Sequence, residues 1–109
     1  MKALLVVLSN PTTSEQEDEY NDWYDNVHLG EVKQIPGVTD ARRYVVSTTQ
    51  LDPPSSLGGN DYLALYEIES EDLAAVAHEL TARAVNGTFH MSGAIRADPP
   101  PVAVLFESR

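Results

Sequence analysis

The chain of 109 residues has no cysteine, and this absence removes a set of chemistries at once. Without thiols it cannot form a disulfide, hold an iron–sulfur cluster, build a cysteine zinc site or use a thiolate nucleophile. Histidine is scarce too, and the spacing of His28, His78 and His90 matches no metal-binding motif. We therefore expect no metal ion and no cofactor.

Positive charge is also in short supply, with 7 Lys and Arg residues against 17 Asp and Glu residues. The formal net charge of −10 repels phosphate backbones and anionic lipid headgroups, so we expect neither nucleic acid nor a membrane as a partner. No apolar run reaches the length of a transmembrane helix. The apolar start is short and closes at Asn10-Pro11, which is typical of a buried strand and not of a signal peptide. The expected location is the cytoplasm.

The apolar content of 42% is that of a globular protein, and the length suits a single domain, residues 1–109. Apolar runs and alternation predict four strands, at 2–9, 38–48, 61–69 and 102–107. The first helix is predicted to be capped by Thr12, Thr13 or Ser14, with a capping box at residues 14–17, and to end at Pro36-Gly37. The second is predicted to be capped by Ser70 and to stop at Asn86-Gly87. Residues 50–60 are expected to form a loop, and residues 88–97 suit either a short helix or a loop.

The resulting order, βαββαβ, predicts an α+β fold of the ferredoxin-like type, a four-stranded antiparallel sheet with both helices on one face. The strands carry apolar side chains on both faces, as Leu4 against Leu5 and Tyr62 against Leu63 show. Two helices cover only one of these faces. A second copy of the chain is the simplest cover for the other face, so we expect a homodimer formed through the sheet.

Two motifs connect the chain with a known family. The first is W-Y-x-x-x-H-L-x-E at residues 23–31, and the second is I-P-G-V at 35–38 followed by A-R-R-Y at 41–44. With this element order, the chain resembles the EthD-like proteins of the dimeric α/β-barrel superfamily. The resemblance implies a barrel of two sheets and a small apolar or aromatic ligand. It departs from the family at Gly30, where members often have a proline, and in the loop at 50–60.

His28 is the leading candidate for chemistry, because an imidazole can take up or release a proton near neutral pH. On a regular helix, Tyr24 lies one turn before His28 and Asp25 three residues before it. Asp25 or Glu31 could then fix the tautomer of His28, and Tyr24 could donate to a substrate oxygen. The predicted catalytic residues are therefore His28, Tyr24 and Asp25. A purely structural histidine at the dimer interface is the alternative.

Further residues are candidates for binding the substrate. Arg42 and Arg43 point to opposite faces of their strand, so one of them faces inward or toward an interface. There it needs an anionic partner, either a structural carboxylate such as Glu67 or a substrate. His90 follows the second helix, where the pocket mouth lies in barrels of this type, whereas His78 is expected to be solvated. The predicted substrate-binding residues are Trp23, Arg43, Tyr44, Tyr62, Tyr66 and His90.

The sequence leaves three functions open. The first is a cofactor-independent enzyme, such as a cyclase, dehydratase, isomerase or monooxygenase, that acts on an apolar, oxygen-bearing substrate with an aromatic or polyketide-like skeleton. The second is a non-catalytic binding or accessory protein of a degradation or biosynthesis pathway. The third is a structural homodimer whose pocket is filled by its own side chains.

Overall fold

The computed structural model describes residues 1–56 and 58–109, and these build one four-stranded sheet with helices on one face. The strands are β1 (Lys2–Ser9), β2 (Val38–Val45), β3 (Tyr62–Glu69) and β4 (Val102–Glu107). All neighbours are antiparallel, in the order β2-β3-β1-β4. This arrangement confirms the predicted ferredoxin-like fold.

The two strands with the longest apolar runs occupy the middle of the sheet. Leu5 of β1 lies opposite Tyr66 of β3 on one side and Leu105 of β4 on the other. β2 is shorter than predicted and ends at Val45, which pairs with Tyr62, the first residue of β3. The prediction of a strand at 38–48 is therefore wrong at its end, because the pairing of β2 with β3 stops at Val45 and Tyr62.

The first helical segment, residues 14–33, is one run of four consecutive pieces with three helical geometries. A 3-10 turn (Ser14–Gln16) leads into α1 (Glu17–Trp23), a π-helical turn (Tyr24–His28) follows, and α2 (Leu29–Lys33) completes the run. Of the predicted caps, Thr13 is the one that precedes the 3-10 turn, and it donates its hydroxyl to Gln16 Oε1 at 3.1 Å. The predicted capping box is wrong, because Ser14 lies inside the turn. Gly30 lies within α2 and does not interrupt it.

The second helix, α3 (Leu73–Val85), begins later than predicted. Its cap is Asp72, whose Oδ1 accepts from the Ala75 amide at 3.0 Å, which corrects the prediction of Ser70. The Ser70 hydroxyl instead accepts from the Asp72 amide at 3.0 Å. Residues 88–97 form no helix, and their one bridge joins Ile95 to Pro11.

The core lies between the helices and one face of the sheet. Gly37, at φ +101°, makes the turn from α2 into β2, and a Cβ there would lie 3.1 Å from Val76 Cγ2. Within the described residues, none of the helices has the length and apolar character needed to cross a membrane. The buried apolar residues are Ala3, Leu5, Tyr20, Trp23, Tyr24, Val32, Ile35, Ala64, Tyr66, Ile68, Val76, Phe89 and Ala94.

The other face of the sheet carries large apolar side chains with no helix over them. The exposed ones on this outer face are Leu4, Tyr44, Val102, Val104 and Phe106. The expectation of two apolar sheet faces is confirmed.

Candidate functional site

His28 sits at the end of the π-helical turn and is packed among three aromatic rings. It stacks on Trp23 at 4.7 Å between ring centroids and meets Tyr24 and Phe89 edge to face at 5.2 and 5.4 Å. Only 14% of its side chain is exposed. Burial lowers the pKa of His28 below 6.5, so the imidazole is neutral at neutral pH. Its Nδ1 has no hydrogen-bond partner.

Glu31 links this buried histidine to the surface. One of its oxygens lies 3.9 Å from His28 Nδ1. Its carboxylate also accepts from the His90 backbone amide, at 3.0 Å to each oxygen, and its Oε2 lies 2.6 Å from His90 Nδ1. Burial opposes ionisation of Glu31, but the bonds from His90 outweigh it and lower the pKa of the carboxyl below 4.5. The His90 side chain is 82% exposed, so this predicted binding residue marks the outer end of the link.

Asp25 does not approach His28, contrary to the expected pairing. Its Oδ1 accepts from Arg43 Nη1 at 2.8 Å, on the side of the helical segment that faces β2. The prediction assumed regular α-helical geometry, whereas the chain from Tyr24 to His28 forms a π turn with hydrogen bonds five residues apart. Of the two carboxylates considered for His28, the structure brings only Glu31 near.

Arg43 points into the core, and its guanidinium lies over three tyrosine rings. Its Cζ is 4.4 Å from the Tyr24 centroid and 5.1 Å from those of Tyr20 and Tyr62. Nη2 donates to Asn21 Oδ1 at 3.0 Å, and only 10% of the side chain is exposed. The Nε has no partner. Tyrosine faces attract a cation, which stabilises the buried charge.

The expectation that one of two neighbouring arginines faces inward is confirmed. Arg42 lies on the outer face and bonds to Asp40 at 2.7 Å, while Arg43 is the inward one. The carboxylate that neutralises Arg43 is Asp25, not Glu67 as suggested. Glu67 could not serve because it pairs with Asp40 across the strands, on the outer face.

Tyr66 is also buried in the core, beside Tyr24. The residue is 1% exposed, and its hydroxyl makes no hydrogen bond. Burial and the neighbouring Tyr24 hydroxyl raise the pKa of Tyr66 far above its ordinary range, and burial raises the pKa of Tyr24 to about 12. Both phenols are therefore protonated at neutral pH. Tyr66 O–H and Arg43 Nε–H are two buried donors without acceptors.

Tyr62 and Tyr44 lie on opposite faces of the sheet. Tyr62 shares a strand face with Tyr66 and bonds through its hydroxyl to Glu17 at 2.9 Å and Asn21 at 3.3 Å. Tyr44 pairs with Leu63 on the outer face, so it lies outside the cluster that it was predicted to join. The reason is strand alternation, which puts Tyr44 and its neighbour Arg43 on opposite faces.

Two contributors were missed by sequence reasoning. Asn21 holds both Arg43 and Tyr62, and its position one turn before Asp25 on the helix could have indicated this. Phe89 covers His28 from an irregular segment, where no periodicity marks a buried residue. Within the described residues, no three His, Asp or Glu side chains come together in a way that could hold a metal ion.

Three clefts are found away from His28. One of about 540 Å³ lies at the end of the sheet beside residues 46–56 and 59–60 and is bordered by Tyr44 and Tyr62. One of about 350 Å³ lies on the outer face near Leu4 and Phe106. The third, of about 520 Å³, lies beside Gly37 and α3. The space around His28 is instead occupied by aromatic side chains.

Comparison with solved structures places the fold of this chain in a structural class. An EthD family protein from Bacillus halodurans superimposes with a TM-score of 0.57 at 15% identity, with 100% of each chain covered. A dimeric ferredoxin-like protein of unknown function from a Jannaschia species gives 0.57 at 14% identity, over 99% of this chain and 100% of that one. The cofactor-independent oxygenase SnoaB from Streptomyces nogalater gives 0.56 at 11%, over 99% and 93%.

The fold is thus that of the EthD-like, dimeric ferredoxin-like proteins, as the resemblance in the sequence implied. No protein-family model and no curated protein matches the chain.

Proposed function

We propose that this protein is a cofactor-free enzyme that removes a proton from a carbon atom activated by a carbonyl group. The substrate is apolar and oxygen-bearing, with an aromatic or polyketide-like skeleton, and it binds between the first helical segment and the sheet. The observation that carries the proposal is the pair of buried, unpaired donors, Arg43 Nε and Tyr66 O–H, in a cluster where Tyr24 contacts both Arg43 and a buried neutral histidine, His28. An unpaired buried donor costs about 1–3 kcal/mol, and a substrate oxygen would remove that cost.

The roles follow from charge. His28 is neutral and can accept the proton, and the Glu31 carboxylate 3.9 Å from its Nδ1 stabilises the imidazolium that forms. The electron pair of the broken C–H bond moves onto the carbonyl oxygen and gives an enolate. Arg43 and Tyr66 donate to that oxygen, in a dry site where each hydrogen bond is strong. Reprotonation, ring closure or loss of water can follow from the same enolate.

Tyr24 contacts both the base and one of the donors. Its ring centroid is 5.2 Å from the centroid of His28 and 4.4 Å from Arg43 Cζ.

A second candidate is a binding or accessory protein without catalysis. The observation in its favour is that Trp23, Tyr24 and Phe89 fill the space around His28. A ligand could then use the cleft beside Tyr44 and Tyr62, away from the histidine.

We further infer that the chain forms a homodimer through the outer face of its sheet. Apolar side chains such as Phe106, 54% exposed, and Val104, 43% exposed, occupy that face. The similar Jannaschia protein is described as dimeric. The inferred interface lies on the opposite side of the sheet from His28.

Proton abstraction is testable without knowing the natural substrate. The probes are 2-tetralone and anthrone, two fused-ring ketones with acidic C–H bonds, incubated with the protein in heavy water at neutral pH. NMR follows the loss of the C–H signal. We expect exchange above the buffer rate, loss of that acceleration in His28→Ala, and a decrease of about 100-fold in Tyr66→Phe. Broadening of a probe's own NMR signals by the protein, without exchange, would favour the binding protein. The absence of both exchange and broadening would contradict both candidates.

A stability measurement tests the unpaired hydroxyl directly. Tyr66→Phe removes a buried donor without a partner, so the free energy of unfolding should rise by about 1 kcal/mol. Tyr20→Phe is the matched control, because the Tyr20 hydroxyl bonds to Ser9 Oγ at 2.6 Å. Its loss should lower the free energy of unfolding by about 1 kcal/mol. Equal destabilisation by both changes would argue against a vacant donor at Tyr66.

A further inference from the structure

Residues 87–93, here called the strap, cross from the end of α3 over His28. The strap begins at Gly87, at φ +83°, and ends at Gly93. It belongs to neither a helix nor a strand. Phe89, which is 5% exposed, places its ring edge to face on His28 at 5.4 Å. The strap is therefore the outer wall of the space around His28.

The strap is held mainly through His90. The His90 amide and ring both bond to the Glu31 carboxylate, and its carbonyl accepts from Trp23 Nε1 at 2.5 Å. Two single bonds tie it to distant residues, from the Phe89 amide to the Arg83 carbonyl at 3.2 Å and from Thr12 Oγ1 to the Gly93 carbonyl at 2.7 Å. The remaining bonds are local: Thr88 donates its amide and its hydroxyl to Asn86 Oδ1, and Ser92 Oγ accepts from the Ala94 amide. One carboxylate thus anchors a segment that has no ladder of backbone bonds.

We propose that the strap is the entrance gate to the interior beside His28, and that Glu31 is the positioning residue that keeps it closed. The inference rests on the proposed function for its purpose, since a substrate must reach His28. Its physical basis is independent of that function. A segment with few backbone bonds opens at a lower free energy than the sheet beneath it. Glycines at both ends supply backbone freedom for the movement, and a Cβ at either would meet no atom within 4 Å.

The chain carries its own reporter of this opening. Trp23 is its single tryptophan and lies under the strap, bonded to the His90 carbonyl. Quenching of its fluorescence by acrylamide, a neutral quencher, measures access beneath the strap. We expect the quenching constant to rise about twofold in Glu31→Ala, with the cooperative thermal transition retained. Glu31→Gln keeps an acceptor for the His90 amide and should restore most of the protection.

Glu19→Gln is the matched control, because it removes one exposed carboxylate from the same helical segment and should leave the quenching unchanged. Unchanged quenching in a folded Glu31→Ala protein would overturn the proposal. If Glu31→Ala does not fold, hydrogen exchange in the unaltered protein tests whether the strap opens. The Trp23 indole proton should exchange faster than the amides of Leu5 and Tyr66, and equally slow exchange would overturn the gate.

These measurements use no substrate, so they separate the gate from the proposed reaction. Increased quenching in Glu31→Ala together with no exchange of 2-tetralone or anthrone supports the gate and argues against the catalytic function. Unchanged quenching in Glu31→Ala together with rapid exchange of either ketone argues against the gate and supports the catalytic function.

Discussion

At the scale of single residues, the packing of His28 controls the proton affinity of its imidazole. Three aromatic rings surround it, and removal of water from the ring disfavours the charged form. Glu31 acts in the opposite direction but lies 3.9 Å away, and burial is the larger effect. A base that is neutral at neutral pH is the result.

This effect predicts how stability changes with pH. The pKa of His28 is lowered on folding, so protonation favours the unfolded chain. Its contribution is complete above the unfolded value of 6.5 and is lost as pH falls through the lowered pKa, by at most about 1.4 kcal/mol per pH unit. Urea unfolding from about pH 8 to about pH 5 should show this loss in the unaltered protein. His28→Phe keeps an aromatic ring and should remove that part of the slope.

His78→Gln serves as the control for the pH experiment. This histidine is exposed on α3, so its replacement should leave the slope as it was. The same slope in His28→Phe and the unaltered protein would mean that His28 is not a buried neutral group.

At the scale of elements, the π turn decides which side chains meet. Its wider winding changes the angle between its own residues around the axis, so Asp25 faces Arg43 while His28 faces Phe89 and Glu31. Single-turn π segments occur often at functional sites, because they reorient side chains without breaking the helix. Tyr24, the first residue of the turn, contacts both Arg43 and His28.

Replacement by alanine should change the free energy of unfolding in opposite directions at Gly30, in α2, and at Gly37, in the turn after it. Gly30 is exposed in a helix, and a Cβ there would meet no atom within 4 Å, so Gly30→Ala should stabilise the protein by about 0.5–1 kcal/mol. Gly37 has φ +101° and approaches Val76, so Gly37→Ala should destabilise it by more than about 1 kcal/mol. Urea denaturation measures both. Destabilisation by Gly30→Ala would indicate that another group must come close to the Gly30 backbone, a contact that the single chain does not show.

At the scale of the whole molecule, the sheet is covered by helices on one side and open on the other. Light scattering on a sizing column should give the mass of two chains for the unaltered protein. Phe106→Asp places a charge on the outer face and should give the mass of one chain, because an unpaired buried charge is costly at an apolar interface. Val85→Asp is the control, since Val85 is 81% exposed at the end of α3. A single-chain mass for the unaltered protein would refute the dimer.

The sequence by itself determined the fold and the neighbourhood of the site. The order of strands and helices, the two apolar sheet faces and the inward arginine on β2 follow from periodicity, turn residues and alternation, which are local properties of the chain. The motif from Trp23 to Glu31 located the histidine and two of its aromatic neighbours, Trp23 and Tyr24, for the same reason.

Only the tertiary structure decided which groups touch. Asp25 meets Arg43 across 18 positions, and Glu31 meets His90 across 59. The π turn, the unpaired Tyr66 hydroxyl and the strap over His28 depend on how the helical segment packs on the sheet. Such contacts arise from the free energy of the whole packed core, so no local pattern encodes them.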